Sequence, residues 1–370
     1  MKTNKKTYRF LITGGGTGGH IFPALSIARG IKEKLPQAEI LFAGAEGRME
    51  MQRVPQAGFE IVGLPIAGLQ RKWTAKNLLL PFKVFKSISK ALQLLHDFQP
   101  DAVIGTGGYA SAPVVWAAQF KKIPTFIQEQ KSYPGITNRF LGRKAKKIFT
   151  AYEEARKYFP SEKVVLTGNP VRPEIKRMQT GVEEGRRHFG LEGELPVVLV
   201  LGGSLGAAAI NRQVAETVKQ YGKEMPFRLL WQTGKLYYDR YKHLENDKVK
   251  ILPFIKEMDK AYAAADVIIS RAGAGTLSEL ALAGKPVILI PSKNVSEDHQ
   301  TKNAMALVEK GAAELLPENR LEALYERIVA LLNDPEKRRQ MSENLKKQAK
   351  PDATETIVNE ILKTLQTGEA

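Results

Sequence analysis

Two segments of this 370-residue sequence each combine an apolar strand, a glycine-rich turn and the start of a helix. The first, from Phe10, reads FLITGGGTGGHIFPALSIA, and the second, from Val198, reads VLVLGGSLGAAAINRQVA. A strand, a glycine turn and a helix in this order are typical of Rossmann-like nucleotide-binding units. The repetition therefore predicts two such domains in one chain.

The rest of the chain continues this alternation of apolar strands and helical patterns. Predicted strands lie at 8–13, 39–43, 102–105, 125–127, 147–150 and 164–166 in the first half, and at 196–201, 228–232, 249–252, 267–270 and 286–290 in the second. Strands separated by helices at this spacing pair in parallel, with helices on both faces of the sheet. We predict the α/β class, with two Rossmann-like domains whose parallel sheets face a central cleft.

Two prolines and a glycine between Gly168 and Pro173 interrupt the periodicity and indicate the domain boundary. We predict an N-terminal domain over 1–168 and a C-terminal domain over 169–345. Asp352 is a suitable N-cap for a last helix with one apolar face, formed by Ile357, Ile361 and Leu365. This helix, within 352–370, is expected to pack back on the first domain.

Composition limits the cellular setting and the partners. The sequence has no cysteine, which excludes disulfides, thiolate metal ligands and cysteine nucleophiles and fits a reducing cytoplasm. The apolar run near the N-terminus, about four residues, is too short for a signal peptide, and no run approaches the roughly 20 residues of a membrane-spanning helix. A formal charge of +17 requires an anionic partner: nucleic acid, anionic lipid or a phosphorylated substrate.

The first glycine turn matches two nucleotide-binding motifs only in part. Gly14, Gly16 and Gly19 fit G-x-G-x-x-G, but the second strand ends in Ala43–Gly44, without the acidic residue that would bind an NAD ribose. His20–Ile21 stand where a P-loop would have lysine and serine or threonine. The property common to both motifs remains: backbone N–H groups and a helix N-terminus that favour an anion.

Further glycine-rich turns follow predicted strands at 105–113, 202–207 and 270–284. Because the carboxyl ends of parallel strands meet at one edge of a sheet, these turns predict a site for a phosphorylated ligand. Glu279 follows the last turn by about one helical turn. It has two interpretations: an acceptor for both ribose hydroxyls, or an acid that is stabilised by the helix dipole.

His20 is predicted in the first turn of its helix, where the dipole favours a neutral, proton-accepting ring. This position suits a general base or a contact to a leaving phosphate, and the sequence leaves both open. The other histidines have no metal-ligand spacing with acidic residues, so the sequence supports no catalytic metal.

Seven motifs in order, over residues 14 to 304, give the sequence a specific resemblance to the MurG family: GGGTGGHIFPALSIA, GTGGYASAP, QEQKSYPGITNR, GNPVR, GGSLGA, SRAGAGTLSEL and EDHQTKNA. The resemblance implies a GT-B fold that binds the donor mainly in the second domain and the acceptor in the first. It implies an inverting transfer of N-acetylglucosamine (GlcNAc) from UDP-GlcNAc to the 4-hydroxyl of N-acetylmuramic acid (MurNAc). The implied acceptor is undecaprenyl-pyrophosphate-linked MurNAc-pentapeptide (lipid I), and the implied product is lipid II for the peptidoglycan cell wall. The resemblance implies no metal or cofactor.

The same resemblance implies roles for individual residues. His20 and Glu129 would be catalytic, with His20 as base or diphosphate contact. The donor UDP-GlcNAc would contact Thr17, Gly18, Gly19, Arg172, Ser204, Ile255, Ala274, Gly275, Thr276, Leu277, Ser278, Glu279 and Gln300. The acceptor side would comprise Tyr109, Lys131 and Asn138. Lys131 departs from the family, which usually reads EQN here, and replaces a donating and accepting amide by a cation.

The segment from 68 to 98 combines cations with aromatic and aliphatic side chains. A membrane patch is predicted from Lys72, Trp73, Lys76, Leu79, Phe82 and Lys83, resting on an anionic leaflet. The alternative is a helix packed on the sheet with a solvated basic side. The MurG resemblance favours the patch, because it implies peripheral attachment at the cytoplasmic face of the bacterial plasma membrane, with other cell-wall synthesis proteins as further partners.

Two other functions are open at this point. A GT-B glycosyltransferase of another pathway would have the same fold and nucleotide turns. A nucleic-acid-binding protein would explain the charge, but the sequence has no helix-turn-helix, zinc-finger or RNP signature. We therefore expect no nucleic-acid partner.

Overall fold

The structure is a computed structural model that describes residues 7–66, 80–203, 205–292 and 299–367. The chain folds into two compact units, Met1–Arg172 with Asp352–Ala370 and Pro173–Pro351.

The first unit contains a parallel sheet in the order β3-β2-β1-β4-β5-β6-β7. Its strands are β1 (Arg9–Thr13), β2 (Glu39–Ala45), β3 (Glu60–Leu64), β4 (Ala102–Gly105), β5 (Thr125–Glu129), β6 (Lys147–Thr150) and β7 (Val164–Leu166). They are connected by α1 (Gly18–Lys34), α2 (Glu50–Gln56), α3 (Leu80–Phe98), α4 (Ser111–Phe120) and α5 (Ile136–Gly142). Short 3₁₀ turns cover Glu153–Tyr158 and Ser161–Lys163.

The second unit contains a parallel sheet in the order β10-β9-β8-β11-β12-β13. Its helices begin with α6 (Pro173–Lys176) and α7 (Val182–Phe189). Its strands and remaining helices are β8 (Val197–Leu201), α8 (Ala208–Tyr221), β9 (Arg228–Gln232), α9 (Tyr238–Tyr241), β10 (Val249–Leu252), α10 (Met258–Ala264), β11 (Val267–Ser270), α11 (Ala274–Ala283), β12 (Val287–Leu289), α12 (His299–Val308), β13 (Glu314–Leu315), α13 (Leu324–Leu332) and α14 (Pro335–Lys346).

The register places the glycine turns at a common edge within each unit. Thr13 at the end of β1 pairs with Gly105 at the end of β4, so these two strands end level, and with Ala43 of β2, which continues to Ala45. In the second unit Ser270 of β11 pairs with Leu201 of β8 and Leu289 of β12. The turns after β1 and β4, and those after β8 and β11, therefore emerge side by side, as the carboxyl ends of parallel strands do.

The last helix, α15 (Ala353–Gln366), belongs to the first unit. Its apolar residues Ile357 and Ile361 are fully buried in one cluster with Phe10 of β1 and Ile27 of α1. A side chain at Gly30 of α1 would lie 2.7 Å from a methyl group of Thr354. The end of the chain thus completes the core of the domain in which the chain begins.

The boundaries of the two units differ by a few residues from the predicted domain boundaries. The first unit extends past Gly168 to Arg172, because Asn169 is buried and its amide donates to Gln130 O at 3.2 Å. The second unit extends past 345 to Pro351. Strands β3 and β13, at the sheet edges, were not predicted; β13 is only two residues long. In the described parts of the chain, no helix is long and apolar enough to cross a bilayer.

Candidate functional site

The first glycine turn is packed against groups of the protein itself. A side chain at Gly14 would lie 1.9 Å from Thr106 Oγ1, and one at Gly15 would lie 2.1 Å from Glu50 Oε1. The N–H of Gly16 donates to both carboxylate oxygens of Glu50, at 3.2 and 3.1 Å. The N–H of Gly16 is therefore not available to an anion, because a buried carboxylate already accepts from it.

The residues after Gly16 are placed where backbone N–H groups can bind an anion. Thr17 is the N-cap of α1, and Gly18 and Gly19 begin its first turn, where N–H groups have no intrahelical acceptor. The next N–H, that of His20, already donates to Thr17 O at 3.1 Å. Of the turn residues predicted to contact a ligand, Gly18 and Gly19 fit best.

His20 is held with a defined ring orientation. Its Nδ1 lies 2.9 Å from Thr106 O and 2.9 Å from Gln130 Oε1. Gly107 and Gly108 pass close to the ring, and a side chain at Gly107 would lie 3.0 Å from Nδ1. Burial of the ring and, second, the positive charge of Lys131 lower the pKa of His20 from 6.5 to about 4. The imidazole is therefore neutral at pH 7.

Glu129, at the end of β5, lies in a buried polar cluster with two predicted acceptor-side residues. Asn138 Nδ2 donates to Glu129 Oε2 at 2.9 Å, and the N–H of Lys131 donates to Oε1 at 3.1 Å. Burial raises the pKa of the Glu129 carboxyl above its usual 4.5, and the bonds from Asn138 and Lys131 oppose this rise. The structure thus brings Glu129, Lys131 and Asn138 together, but both Glu129 oxygens already accept hydrogen bonds from the protein.

Asn138 has a buried side-chain oxygen that accepts no hydrogen bond from the protein. Its side chain is 2% exposed, and its Oδ1 has no hydrogen-bond partner in the structure. A buried amide oxygen without a donor is costly, so it favours a ligand or water that donates to it.

Tyr109 lies beside the first glycine turn, with its ring 3.1 Å from where a side chain at Gly16 would be. Burial raises the pKa of its hydroxyl, and a hydrogen bond from Arg48 opposes the rise. Tyr109 and the glycine turn therefore share one surface of the first unit.

In the second unit, two glycine turns meet backbone to backbone. Gly206 and Gly234 have φ values of +81° and +85°, and a side chain at Gly206 would lie 2.0 Å from Thr233 O. Gln232 joins the turn to a third segment: its Nε2 donates to Gly203 O at 3.2 Å, and its Oε1 accepts from the N–H of Ile255 at 2.9 Å. Ser204, predicted to bind phosphate, lies outside the described residues.

The N-terminal turn of α11 has the open geometry of an anion site. Gly273 is its N-cap, and a side chain at Gly275 would meet nothing within 4 Å. Glu279 lies further along α11, and its Oε2 accepts a hydrogen bond from Tyr262 of α10 at 3.2 Å. With Ala274 and Thr276 in the same turn, the predicted donor-binding residues are clustered.

The same helix contains two more of the predicted donor contacts, Leu277 and Ser278. Leu277 is 4% exposed within the core, and its N–H donates to Gly273 O at 2.9 Å. The side chain of Leu277 therefore packs in the core beneath the turn. The hydroxyl of Ser278 donates to Ala274 O at 3.2 Å, which orients it along the helix.

The remaining residues predicted to contact the donor, Gln300 and Arg172, also interact with other groups of the protein. Gln300 Oε1 accepts from the N–H of Ser292 at 2.9 Å, which orients its side-chain amide. The guanidinium carbon of Arg172 lies 5.6 Å from the ring centre of Phe22 in α1. Asn303, which the sequence did not single out, is buried and donates to Ala272 O at 3.3 Å ahead of α11.

The predicted membrane patch is described only from α3 onward; Lys72, Trp73, Lys76 and Leu79 lie outside the described residues. Phe82 and Phe85 are 68% and 73% exposed, which is unusual for aromatic side chains. Lys83 and Lys86 are interleaved with them along the helix. This part of α3 is therefore an exposed aromatic and basic surface rather than a helix packed on the sheet.

Among the described residues, no group of three or more histidine and acidic side chains has an arrangement that could hold a metal ion.

Comparison with known proteins assigns the two units. The glycosyltransferase family 28 N-terminal domain matches residues 10–150, and the family 28 C-terminal domain matches residues 197–357. Together with the two parallel sheets, these matches define a GT-B glycosyltransferase, which confirms the predicted fold class.

Relatives over the full length narrow the family. A UDP-N-acetylglucosamine--N-acetylmuramyl-(pentapeptide) pyrophosphoryl-undecaprenol N-acetylglucosamine transferase from Flavobacterium psychrophilum is 49% identical over 97% of this chain and 98% of the relative. One of the same name from Porphyromonas gingivalis is 50% identical over 97% of this chain and 96% of the relative. The crystal structure of Acinetobacter baumannii MurG is 31% identical, with a TM-score of 0.74 over 97% of this chain and 100% of that one. The chain belongs to the MurG family, as its motifs predicted.

Proposed function

We propose that the protein transfers GlcNAc from UDP-GlcNAc to the 4-hydroxyl of MurNAc in undecaprenyl-pyrophosphate-linked MurNAc-pentapeptide, with inversion at the anomeric carbon. The observation that carries this proposal is the near-complete alignment with transferases that are named for this reaction. The open N-terminal turn of α11 adds a physical reason, because its backbone N–H groups can bind the diphosphate of a donor nucleotide.

The second unit binds the donor through groups of three kinds. The N–H groups of Gly275 and Thr276, at the positive end of the α11 dipole, face the diphosphate. Glu279, oriented by Tyr262, accepts from the ribose hydroxyls. The N–H of Ile255 is already bonded to Gln232. Ile255 therefore offers its carbonyl oxygen to the N3–H of uracil.

The first unit binds the acceptor, and His20 accepts the proton. Both groups that face Nδ1 are acceptors, so the proton of the neutral ring is on Nδ1 and Nε2 carries a lone pair. Such a nitrogen accepts from a hydroxyl but repels a phosphate oxygen. This geometry favours the base over the diphosphate contact.

The transfer is a direct displacement at the anomeric carbon. The 4-hydroxyl oxygen forms a bond to the anomeric carbon, its proton passes to His20 Nε2, and the bond from that carbon to UDP breaks with its electron pair on the departing phosphate. Because a base with a pKa of about 4 is weak, stabilisation of the leaving diphosphate by N–H groups and the helix dipole carries much of the rate enhancement.

We also propose that the protein works at the cytoplasmic face of the bacterial plasma membrane. Its acceptor is anchored by a lipid, and α3 offers exposed Phe82 and Phe85 beside cations. Aromatic side chains insert at the headgroup level while lysines attract anionic lipids, so both contribute to peripheral binding.

The decisive experiment is a transfer assay with radiolabelled UDP-GlcNAc and a lipid I analogue. We expect a disaccharide product, and none from an analogue in which the MurNAc 4-hydroxyl is replaced by hydrogen. Aglycone and diacylglycerol acceptors are tested in parallel. Transfer to one of these, without transfer to the lipid I analogue, would assign the chain to another pathway.

A further inference from the structure

A chain of buried amides runs from the end of the first unit to His20. Asn169 Nδ2 donates to Gln130 O at 3.2 Å, and Gln128 Nε2 donates to Asn169 Oδ1 at 3.2 Å. Gln130 Nε2 in turn donates to Gln128 Oε1, and Gln130 Oε1 faces His20 Nδ1 at 2.9 Å. All three amide side chains are at most 2% exposed, so water does not compete for these bonds.

The orientation of the Gln130 amide is fixed by its surroundings. Its Nε2 lies 2.7 Å from Thr106 O and 3.1 Å from Gln128 O, in addition to the Gln128 side-chain oxygen. A flipped amide would place its oxygen against these acceptors. Its oxygen must therefore face His20, and Nδ1 can approach this oxygen only as a donor.

We propose that Gln130 is a positioning residue that keeps the proton of neutral His20 on Nδ1, with Gln128 and Asn169 holding the Gln130 amide. Thr106 O also accepts from Nδ1, so the two acceptors act together. The proposal rests on the proposed function only for its kinetic consequence. The location of the proton is a property of the free protein.

Replacement of Gln130 tests this role. In Gln130→Met the ring loses one of its two acceptors, so a larger fraction of the protein has the Nε2–H tautomer, in which Nε2 cannot accept from a hydroxyl. Since a hydrogen bond contributes about 1 kcal/mol, we expect kcat to fall roughly fivefold with the KM for UDP-GlcNAc unchanged. Gln130→Glu keeps an acceptor opposite Nδ1, so we expect it to retain the Nδ1–H tautomer and to raise the pKa of His20.

The measurement is ¹⁵N NMR of the full-length protein with labelled histidine, because ring ¹⁵N shifts separate protonated from unprotonated nitrogens. His20→Asn assigns the signal. Gln119→Met is the matched control: Gln119 also donates to a backbone carbonyl of this unit, that of Leu141 at 2.8 Å, but makes no bond to His20. We expect it to change neither tautomer nor kcat.

Two results would overturn the proposal. One is an Nε2–H tautomer in the unmodified protein. The other is a Gln130→Met variant, folded by circular dichroism, whose His20 shifts and kcat match those of Gln119→Met. A failure of the proposed function looks different: the transfer assay would give no product although the NMR shows the Nδ1–H tautomer.

Discussion

The hydroxyl of Tyr262 donates a hydrogen bond to Oε2 of Glu279 at 3.2 Å, which orients the carboxylate proposed to bind ribose. We predict that Glu279→Gln raises the KM for UDP-GlcNAc about tenfold with a smaller change in kcat, because a charge-assisted bond contributes roughly 1.5–3 kcal/mol. Tyr262→Phe should raise this KM about threefold, since it removes one neutral hydroxyl. Steady-state kinetics provide the measurement.

A UDP-GlcNAc analogue with 2′-deoxyuridine in place of uridine tests directly whether Glu279 binds the ribose hydroxyls. The unmodified enzyme should discriminate against it, and Glu279→Gln should lose most of that discrimination. Tyr241→Phe, in the same unit but packed against Trp231, is the control and should behave as unmodified enzyme. Equal discrimination in Glu279→Gln and unmodified enzyme would show that Glu279 only stabilises its helix.

Gly275 and Gly206 are glycines for different reasons. A side chain at Gly275 meets open space, so we predict that Gly275→Ala folds with an unchanged or slightly higher melting temperature but binds UDP more weakly, because the methyl group occupies the diphosphate position. Gly206→Ala should unfold at lower temperature, since the methyl group would lie 2.0 Å from Thr233 O at a φ of +81°.

Thermal unfolding with and without UDP measures both effects. Gly181→Ala is the control, because that position in the same unit is also open. Unchanged stabilisation by UDP in Gly275→Ala would place the diphosphate elsewhere.

Lys131→Asn should raise two pKa values. The Lys131 charge lowers the pKa of His20 and of Glu129, so its removal raises both. The acid limb of kcat/KM, expected near pH 4 where His20 becomes protonated, should move to higher pH. NMR titration of His20 measures the same change directly, and a midpoint that stays near 4 would contradict it.

The same pKa shift predicts a pH dependence of stability. Because the folded protein holds His20 at about 4 and the unfolded chain near 6.5, the unfolded chain binds more protons between these values. The His20 contribution to the free energy of unfolding is therefore present above pH 6.5 and lost as the pH falls toward 4. Urea unfolding at pH 7 and 5 should show this loss, and His20→Asn should reduce it.

The exposed surface of α3 should determine membrane binding. We predict that replacing both Phe82 and Phe85 by serine reduces flotation with vesicles that contain phosphatidylglycerol, without loss of activity on a short-chain, water-soluble acceptor. Charge reversal at Lys83, with Lys72 and Lys76, should do the same. Leu236→Ser, at a residue of the second unit that is 76% exposed, is the control. Binding that is indifferent to all these changes and to anionic lipid would exclude the patch.

Local sequence was sufficient to predict most strands. Buried runs such as VVLVL of β8 are apolar without interruption, which is typical of central parallel strands, and these were predicted to within a few residues. Strand β3 was not, because EIVGL lies at a sheet edge and only its last residue is buried, so its pattern is weak.

The glycine turns were predictable as positions but not as bonding patterns. Glu50 accepts from Gly16 across 34 residues, and no local pattern pairs them. The amide chain joins Asn169 to Gln130 across 39 residues. A weaker signal was present: Gln128 and Gln232 are amides at the carboxyl ends of apolar strands, where a polar side chain either binds a ligand or supports the residues that do.

The packing of α15 on α1 has a consequence for how a ribosome can produce this protein. The residues that fill the gap beside Phe10 and Ile27 are synthesised only after the entire second unit has been synthesised. Until then the first sheet carries an uncovered apolar surface, a target for chaperones and a site of aggregation. A fragment that stops at Arg172 would carry this defect permanently, so dissection of the two domains requires the last helix to be supplied, by fusion or by circular permutation.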